Sequence, residues 1–120
     1  MKPLRTIISE IVKYQMAMGY NYDLMSPEEK LQALRNYTVA LIMEQAEMLE
    51  EVSWKPWRTI ESQKPNPNIR KVALEWVDNL FFLVNQGSCL GLTPDNILAA
   101  FETKLAANYA RITSGYSKLR

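Results

Sequence analysis

The spacing of apolar and polar residues predicts two helices in the first half of the chain. Residues 4–18 carry isoleucine and valine side chains three or four positions apart, and Gly19 is placed to end this helix. Ser26 and Pro27 then give the sequence of a helix start, with a glutamate three residues after the serine. This second helix continues without Gly or Pro to about Val52. We interpret the apolar side of the first helix as core packing.

A second pair of helices is predicted after a proline-containing loop at residues 53–66. We expect a cap at Asn66 to open a third helix that ends at Gly87. Its residues are apolar around most of its circumference, so we expect it to be buried on several sides. Thr93 opens a fourth helix that stops near Gly115. No strand-type alternation occurs, and the pattern predicts an all-α bundle of four or five helices.

The length and charge of the chain limit the number of domains and the kinds of partner that it can have. At 120 residues the chain fits a single domain over residues 1–120. The third helix has more apolar surface than a four-helix monomer covers, so we expect a homo-oligomer, a dimer or a tetramer. Fourteen basic and thirteen acidic residues give a net charge of +1. This balance disfavours nucleic acid or an anionic membrane as a partner, including a nucleic-acid binder built on the basic fourth helix.

Several kinds of chemistry are excluded by composition. The chain has no histidine, which removes Ser-His-Asp and Cys-His catalysis and His-bearing zinc sites. Cys89 is the only cysteine and cannot form an internal disulfide, and the N-terminus lacks the pattern of a signal peptide. The longest apolar run, residues 80–84, is far shorter than a membrane span. We therefore expect a cytoplasmic protein whose chemistry uses carboxylates, amines, hydroxyls or a bound metal.

Acidic residues lie at helical spacing on the second and third helices. Glu44, Glu47 and Glu51 fall within about 60° of one another, and Glu75 and Asp78 share one face of the third helix. In an antiparallel hairpin Glu44 and Glu75 would both lie roughly 12 Å from the connecting loop, so the acidic pairs would be level. Clustered carboxylates repel one another, and oxygen ligands select hard cations such as Mg²⁺ or Mn²⁺. The first set alone is typical of a solvated face, but together the two sets indicate a metal site.

Basic and aromatic residues provide the other half of a nucleotide site. Lys104, Asn108 and Arg111 lie on one stripe of the fourth helix and suit phosphate oxygens, although such a stripe is also common on solvated faces. In the loop, Trp54 and Trp57 offer flat faces for a base, or a hydrophobic plug. Metal ions on one side of a triphosphate and cations on the other are usual in phosphoryl transfer.

Five short motifs follow one another along residues 36–117. They are Glu44-Gln-Ala-Glu47, Trp54-Lys55-Pro56-Trp57, Glu75-Trp-Val-Asp78, the run from Lys104 to Arg111, and Gly115-Tyr116. In this order and spacing the chain resembles the all-α NTP pyrophosphatase superfamily, which includes MazG-like enzymes and dimeric dUTPases. Within it the chain is most similar to phage-type dCTP/dUTP pyrophosphatases.

The resemblance implies an enzyme that converts a deoxynucleoside triphosphate, with dUTP or dCTP favoured, to the monophosphate and pyrophosphate. It implies a bacterial or phage-infected host cytoplasm, and attack at the α-phosphorus by water activated with Mg²⁺ or Mn²⁺. The implied metal ligands are Glu44, Glu47, Glu75 and Asp78. The implied phosphate or nucleotide contacts are Lys55, Lys104, Asn108, Arg111 and Tyr116. For the general base we favour Glu47, with Glu51 as the alternative, and Trp54 with Trp57 for the base pocket.

Two other hypotheses remain open at this stage. The chain could be a non-catalytic helical dimerisation module in which the acids are salt-bridge partners. That hypothesis explains the apolar excess of the third helix, but it does not explain why Glu75 and Asp78 have no cation in their stretch of sequence. The same chemistry could also act on a purine or a modified deoxynucleotide.

Overall fold

The computed structural model describes residues 2–52, 57 and 68–114, and this part of the chain is all-helical. Its α-helices are α1 (Leu4–Ala17), α2 (Pro27–Glu50), α3 (Ile69–Cys89) and α4 (Pro94–Thr113). A 3₁₀ turn at Tyr22–Leu24 connects α1 to α2. The prediction of an all-α fold is therefore confirmed. None of the helices within the described residues is both long and apolar enough to cross a bilayer.

Two helix starts follow the capping chemistry that the sequence predicts. The Ser26 hydroxyl accepts a hydrogen bond from the Glu29 N–H at 3.1 Å, and the Glu29 carboxylate accepts one from the Ser26 N–H at 3.1 Å. Thr93 and Asn96 make the same reciprocal pair at the start of α4, again at 3.1 Å each. These bonds satisfy backbone donors that a helix terminus leaves unpaired.

The bounds of α3 differ from the prediction at both ends. Its cap is Asn68 rather than Asn66, and the Asn68 side chain accepts a hydrogen bond from the Lys71 N–H at 3.2 Å. Asn68 is placed one residue before the first helical position, where its side chain can satisfy a backbone donor of the first turn.

The sequence predicted that Gly87 ends α3, but this residue lies inside the helix. A side chain at this position would place its Cβ 3.4 Å from the Ile97 Cδ1 atom of α4. Glycine therefore lets the first turn of α4 approach the end of α3. The chain turns instead at Gly91, which has a φ of 78°, in the left-handed region that glycine adopts readily.

Contacts between α2 and α3 fix an antiparallel register. Near one end of the pair, the Gln86 side-chain amide donates to the Thr38 hydroxyl at 2.9 Å. Near the other, the Lys71 ammonium lies 3.0 Å from a Glu51 carboxylate oxygen. Residue numbers rise along α2 as they fall along α3. The middle of α2 therefore faces the middle of α3, where the acidic residues lie.

The apolar core lies where α1 crosses α3 and the start of α4. Ile8, Ile11 and Val84 are buried at its centre. Partly buried apolar residues pack around them: Ile7, Val12, Leu80, Phe81, Ile97 and Leu98. Only the beginning of α4 takes part, because every residue from 101 to 114 is exposed. One half of α4 is thus anchored, and the other half extends away from the core.

The expectation that α3 is buried on several sides is wrong for the chain alone. Within α3 the buried residues are Asn79, Val84, Asn85, Gly87 and Cys89. Leu74, Trp76 and Leu83 are 70%, 59% and 52% exposed. Helices α1 and α2 each cover one side of α3, and the remaining apolar side faces solvent because α4 meets α3 only near its end.

Candidate active site

Three carboxylates from α2 and α3 meet at the middle of the helix pair. One oxygen from each of Glu44, Glu75 and Asp78 lies within 4.8 Å of the others. Glu75 and Asp78 are one turn apart on α3, so they share a face, and the antiparallel register brings Glu44 of α2 opposite to them. Glu44 therefore lies at the same height along the helix pair as Glu75 and Asp78, as the sequence predicted.

The surroundings of Glu44 disfavour a bare negative charge. Its Oε2 atom is buried and has no hydrogen-bond partner among the described residues. Burial raises the pKa of the Glu44 carboxyl, and the charge of Glu47, the contact with Glu75 and the charge of Asp78 raise that pKa further. A buried oxygen without a partner and repulsion between acids both favour a cation at this point.

The donor set fits a hard divalent cation. All three converging groups offer carboxylate oxygens, which are the ligands that Mg²⁺ and Mn²⁺ prefer in proteins. The partnerless Glu44 Oε2 would gain a partner from such an ion. By these two criteria the residues present fit the metal that the sequence predicted.

The two general-base candidates have different environments. Glu47 is exposed and lies outside the converging set, one turn along α2 from Glu44. The side chain of Glu51 is only 19% exposed, and its carboxylate pairs with the Lys71 ammonium at 3.0 Å. Glu51 therefore sits in a salt bridge that the sequence analysis did not anticipate. The Lys71 ammonium belongs to α3 and lies two helical turns before Asp78 in the sequence.

A cavity of about 770 Å³ adjoins the carboxylates and lies between α1, α2 and α3. Glu44 and Asp78 form part of its wall. Its apolar lining comes mainly from isoleucine, leucine and phenylalanine side chains of α1 and α3. Ligand sites are typically cavities of this size, lined by apolar groups with a few polar groups that fix orientation.

Some polar residues of the cavity were missed by sequence reasoning. Gln15 and Asn85 are 6% and 1% exposed, and both line the cavity together with Tyr37. The Asn85 Oδ1 atom has no hydrogen-bond partner among the described residues. A signal was present for both amides. Gln15 continues the buried spacing of Ile8 and Ile11, and Asn85 interrupts an apolar run. Each amide therefore occupies a position where the sequence pattern predicts an apolar side chain.

The predicted basic stripe does not join this cavity. Lys104, Asn108 and Arg111 are all exposed and belong to the part of α4 that extends from the core. None of the three lines the cavity. In the loop, Trp57 is 71% exposed, whereas the predicted contacts Trp54 and Lys55 lie outside the described residues, as does Tyr116.

A family model described as dUTPase matches residues 7–90 of the chain, which is more than half of its length. The match includes most of α1 and all of α2 and α3, with the three carboxylates and the cavity between them, and it ends before α4. No curated protein and no solved structure matches the chain.

Proposed function

The chain belongs to the dUTPase family, and on that premise we propose that it hydrolyses a deoxynucleoside triphosphate, preferably dUTP, to the monophosphate and pyrophosphate. The observation that carries the proposal is the convergence of Glu44, Glu75 and Asp78 beside a cavity whose size is typical of ligand sites, with Glu44 and Asp78 in its wall. We propose in addition that the chain is most similar to phage-type dCTP/dUTP enzymes, because the family match identifies only the dUTPase family as a whole.

We assign the metal to the converging carboxylates. Glu44, Glu75 and Asp78 would hold Mg²⁺ or Mn²⁺, with Glu47 as a further ligand from the next turn of α2. Such an ion would supply Lewis-acid activation of the α-phosphate and of a water molecule. Two observations support this assignment: the Glu44 Oε2 atom has no partner among the described residues, and the pKa of Glu44 is raised.

Glu47 is the better placed of the two base candidates. It is exposed next to the cluster, so its carboxylate can accept a proton from the attacking water. The Glu51 carboxylate is already paired with the Lys71 ammonium at 3.0 Å, so it is less available to the attacking water. The water oxygen bonds to the α-phosphorus as the bond from that phosphorus to the bridging oxygen breaks, and pyrophosphate leaves.

The basic stripe of α4 would bind the phosphates, together with Lys55 and Tyr116. This assignment is supported by the charge of Lys104 and Arg111 and by their match to the motif pattern.

We also propose a homodimer or homotetramer. The exposed apolar residues on α2, α3 and α4, such as Ile42, Trp76 and Phe101, give it a surface to bury.

The reaction is tested by incubating the chain with dUTP and Mg²⁺ in ¹⁸O-labelled water and analysing both products by mass spectrometry. Label in the monophosphate, with pyrophosphate as the other product, is the expected result. Label only in pyrophosphate would place the attack at the β-phosphorus. Orthophosphate as the primary product, or no product from any deoxynucleoside triphosphate, would contradict the proposal.

A further inference from the structure

A salt bridge joins α2 to α3 beside the carboxylate cluster. The Lys71 ammonium lies 3.0 Å from a Glu51 carboxylate oxygen. The Lys71 side chain is 59% exposed, whereas the Glu51 side chain is 19% exposed. Neither residue belongs to the converging carboxylates or to the described residues that line the cavity. The proposed reaction gives Lys71 no role, and the sequence analysis did not single it out.

Lys71 is a close neighbour of the cluster on α3. It lies four residues before Glu75, and residues four apart share one face of a helix. The pKa of the Lys71 ammonium is raised, first by its contact with Glu51 and further by the charge of Glu75. Four residues of α-helix rise about 6 Å, so an oxygen bound beside Glu75 lies within reach of the flexible Lys71 side chain.

The cavity and the salt bridge lie on opposite sides of the cluster. On α3 the residues that line the cavity all fall within 77–85, and on α2 they are Tyr37 and Glu44. Lys71 precedes these positions on α3, and Glu51 follows them on α2. Because the two helices are antiparallel, both displacements point the same way along the helix pair. The carboxylates therefore lie between the cavity and Lys71.

This order determines where each part of a nucleoside triphosphate would lie. With the nucleoside in the cavity and the α-phosphate beside the carboxylates, the β- and γ-phosphates extend toward Lys71. The Lys71 ammonium has three N–H donors, and the ion pair with Glu51 needs only one of them. The exposure of its side chain leaves room for the ammonium to move from a carboxylate oxygen to a phosphate oxygen.

We propose that Lys71 is a pyrophosphate-binding residue, whose ammonium exchanges the Glu51 carboxylate for β- and γ-phosphate oxygens of the substrate and holds the pyrophosphate that leaves. A cation at this place offsets the negative charge that develops on the bridging oxygen as its bond to the α-phosphorus breaks. Without Lys71, the neighbouring Glu51 carboxylate would repel the phosphates. This inference rests on the proposed function, because it takes the α-phosphorus as the reacting atom.

The test measures binding rather than turnover. The full chain is titrated by calorimetry, in Mg²⁺, with inorganic pyrophosphate, with the α,β-imido analogue of dUTP and with dUMP. Lys71→Met should weaken binding of pyrophosphate and of the dUTP analogue about tenfold, because a charge-assisted hydrogen bond is lost. Binding of dUMP should stay within about twofold of the wild type, since dUMP has no β- or γ-phosphate. Lys71→Arg keeps the charge and should restore most of the lost affinity.

Glu51→Gln provides a second test, which separates phosphate binding from a purely structural salt bridge. A bridge that only joined α2 to α3 would make Glu51→Gln and Lys71→Met equally costly, because each removes the same ion pair. Under the proposal, Glu51→Gln removes a competitor for the ammonium and should tighten pyrophosphate binding about two- to threefold. Arg70→Met is the matched control. It removes an exposed cation about 100° around α3 from Lys71 and should leave all three affinities unchanged.

An unchanged pyrophosphate affinity in Lys71→Met would overturn the inference, and so would an equal loss for dUMP or equal losses in Lys71→Met and Glu51→Gln. A wild type that binds no pyrophosphate would overturn it as well. If dUTP is not hydrolysed while the affinities follow the predicted order, the proposed reaction is wrong and Lys71 remains a pyrophosphate-binding residue. If dUTP is hydrolysed and the affinities do not follow that order, the reaction stands and Lys71 has no such role.

Discussion

The acidic region on α2 and α3 and the basic region on α4 were both expected at one site, yet they have different structural settings. Glu44, Glu75 and Asp78 converge within 4.8 Å, with Glu44 and Asp78 in the wall of a cavity, inside the segment that matches the dUTPase family. Lys104, Asn108 and Arg111 are exposed on a half-helix that extends from the core, beyond the matched segment. The acidic region is fixed by the pairing of two neighbouring helices, whereas the basic region lies on a stretch of α4 in which every residue is exposed.

The largest difference between the regions should appear when one carboxylate is neutralised in each. Glu44→Gln and Asp78→Asn should lower kcat/KM for dUTP at least about a thousandfold, because each removes a proposed metal ligand. Glu102→Gln changes an exposed carboxylate of α4 and should have almost no effect. Steady-state kinetics at saturating Mg²⁺, with circular dichroism to verify folding, measures both. Near-wild-type activity of Asp78→Asn would remove that residue from the site.

A second comparison lies within the acidic region. Glu47→Gln should lower kcat about a hundredfold or more if Glu47 is the general base. Glu51→Gln should cost no more than about threefold, since Glu51 is paired with Lys71 and the loss of a partly exposed salt bridge is worth little. Rate measurements on the two variants decide between the bases. A larger loss in Glu51→Gln than in Glu47→Gln would reverse the assignment.

A third prediction concerns whether the basic region reaches the substrate. Arg111→Ala should weaken binding of a dUTP analogue about tenfold and leave deoxyuridine binding unchanged, because a guanidinium recognises phosphate. Calorimetry with the two ligands measures the difference. Equal losses would mean that Arg111 has a structural role, and no loss for either ligand would separate α4 from the site.

The smallest predicted effect is a pH dependence that should follow the acidic region alone. Burial and neighbouring carboxylates raise the pKa of Glu44 in the folded chain above its ordinary value of about 4.3. The folded state therefore retains a proton that the unfolded state releases. The stability that this proton provides is complete below the ordinary pKa and is lost as the pH rises through the raised one.

Thermal unfolding in EDTA and in Mg²⁺ measures this effect. As the pH rises from the ordinary glutamate pKa through the raised pKa of Glu44, the rise in Tm caused by Mg²⁺ should increase, because ionised Glu44 destabilises the metal-free fold and is a proposed ligand of the ion. In Glu44→Gln the increase should be smaller. A Mg²⁺ effect that is independent of pH in the wild type would contradict this interpretation of Glu44.

What the sequence could predict depended on how local the determinants were. Caps at Ser26 and Thr93 are local, and their predicted helix starts are confirmed. The end of α3 was mispredicted because Gly87 serves a close approach to Ile97, a residue of another helix. The alignment of Glu44 with Glu75 and Asp78 could also be predicted, because it requires only helix periodicity and one antiparallel pairing of adjacent helices. Gln15 was missed as a cavity residue although it continues the buried spacing of Ile8 and Ile11, because its hydrogen-bond partner Tyr37 lies on α2 and that contact is not local.

Divalent-metal binding by the carboxylate cluster is the central claim, and Mn²⁺ titration followed by electron paramagnetic resonance tests it most directly. The signal of free Mn²⁺ reports how much metal the full chain binds, without any need for substrate. The wild type should bind Mn²⁺, Glu75→Gln should bind it at least about tenfold more weakly, and Glu102→Gln should match the wild type. Equal Mn²⁺ affinity in all three proteins would contradict the claim that Glu44, Glu75 and Asp78 form a metal site.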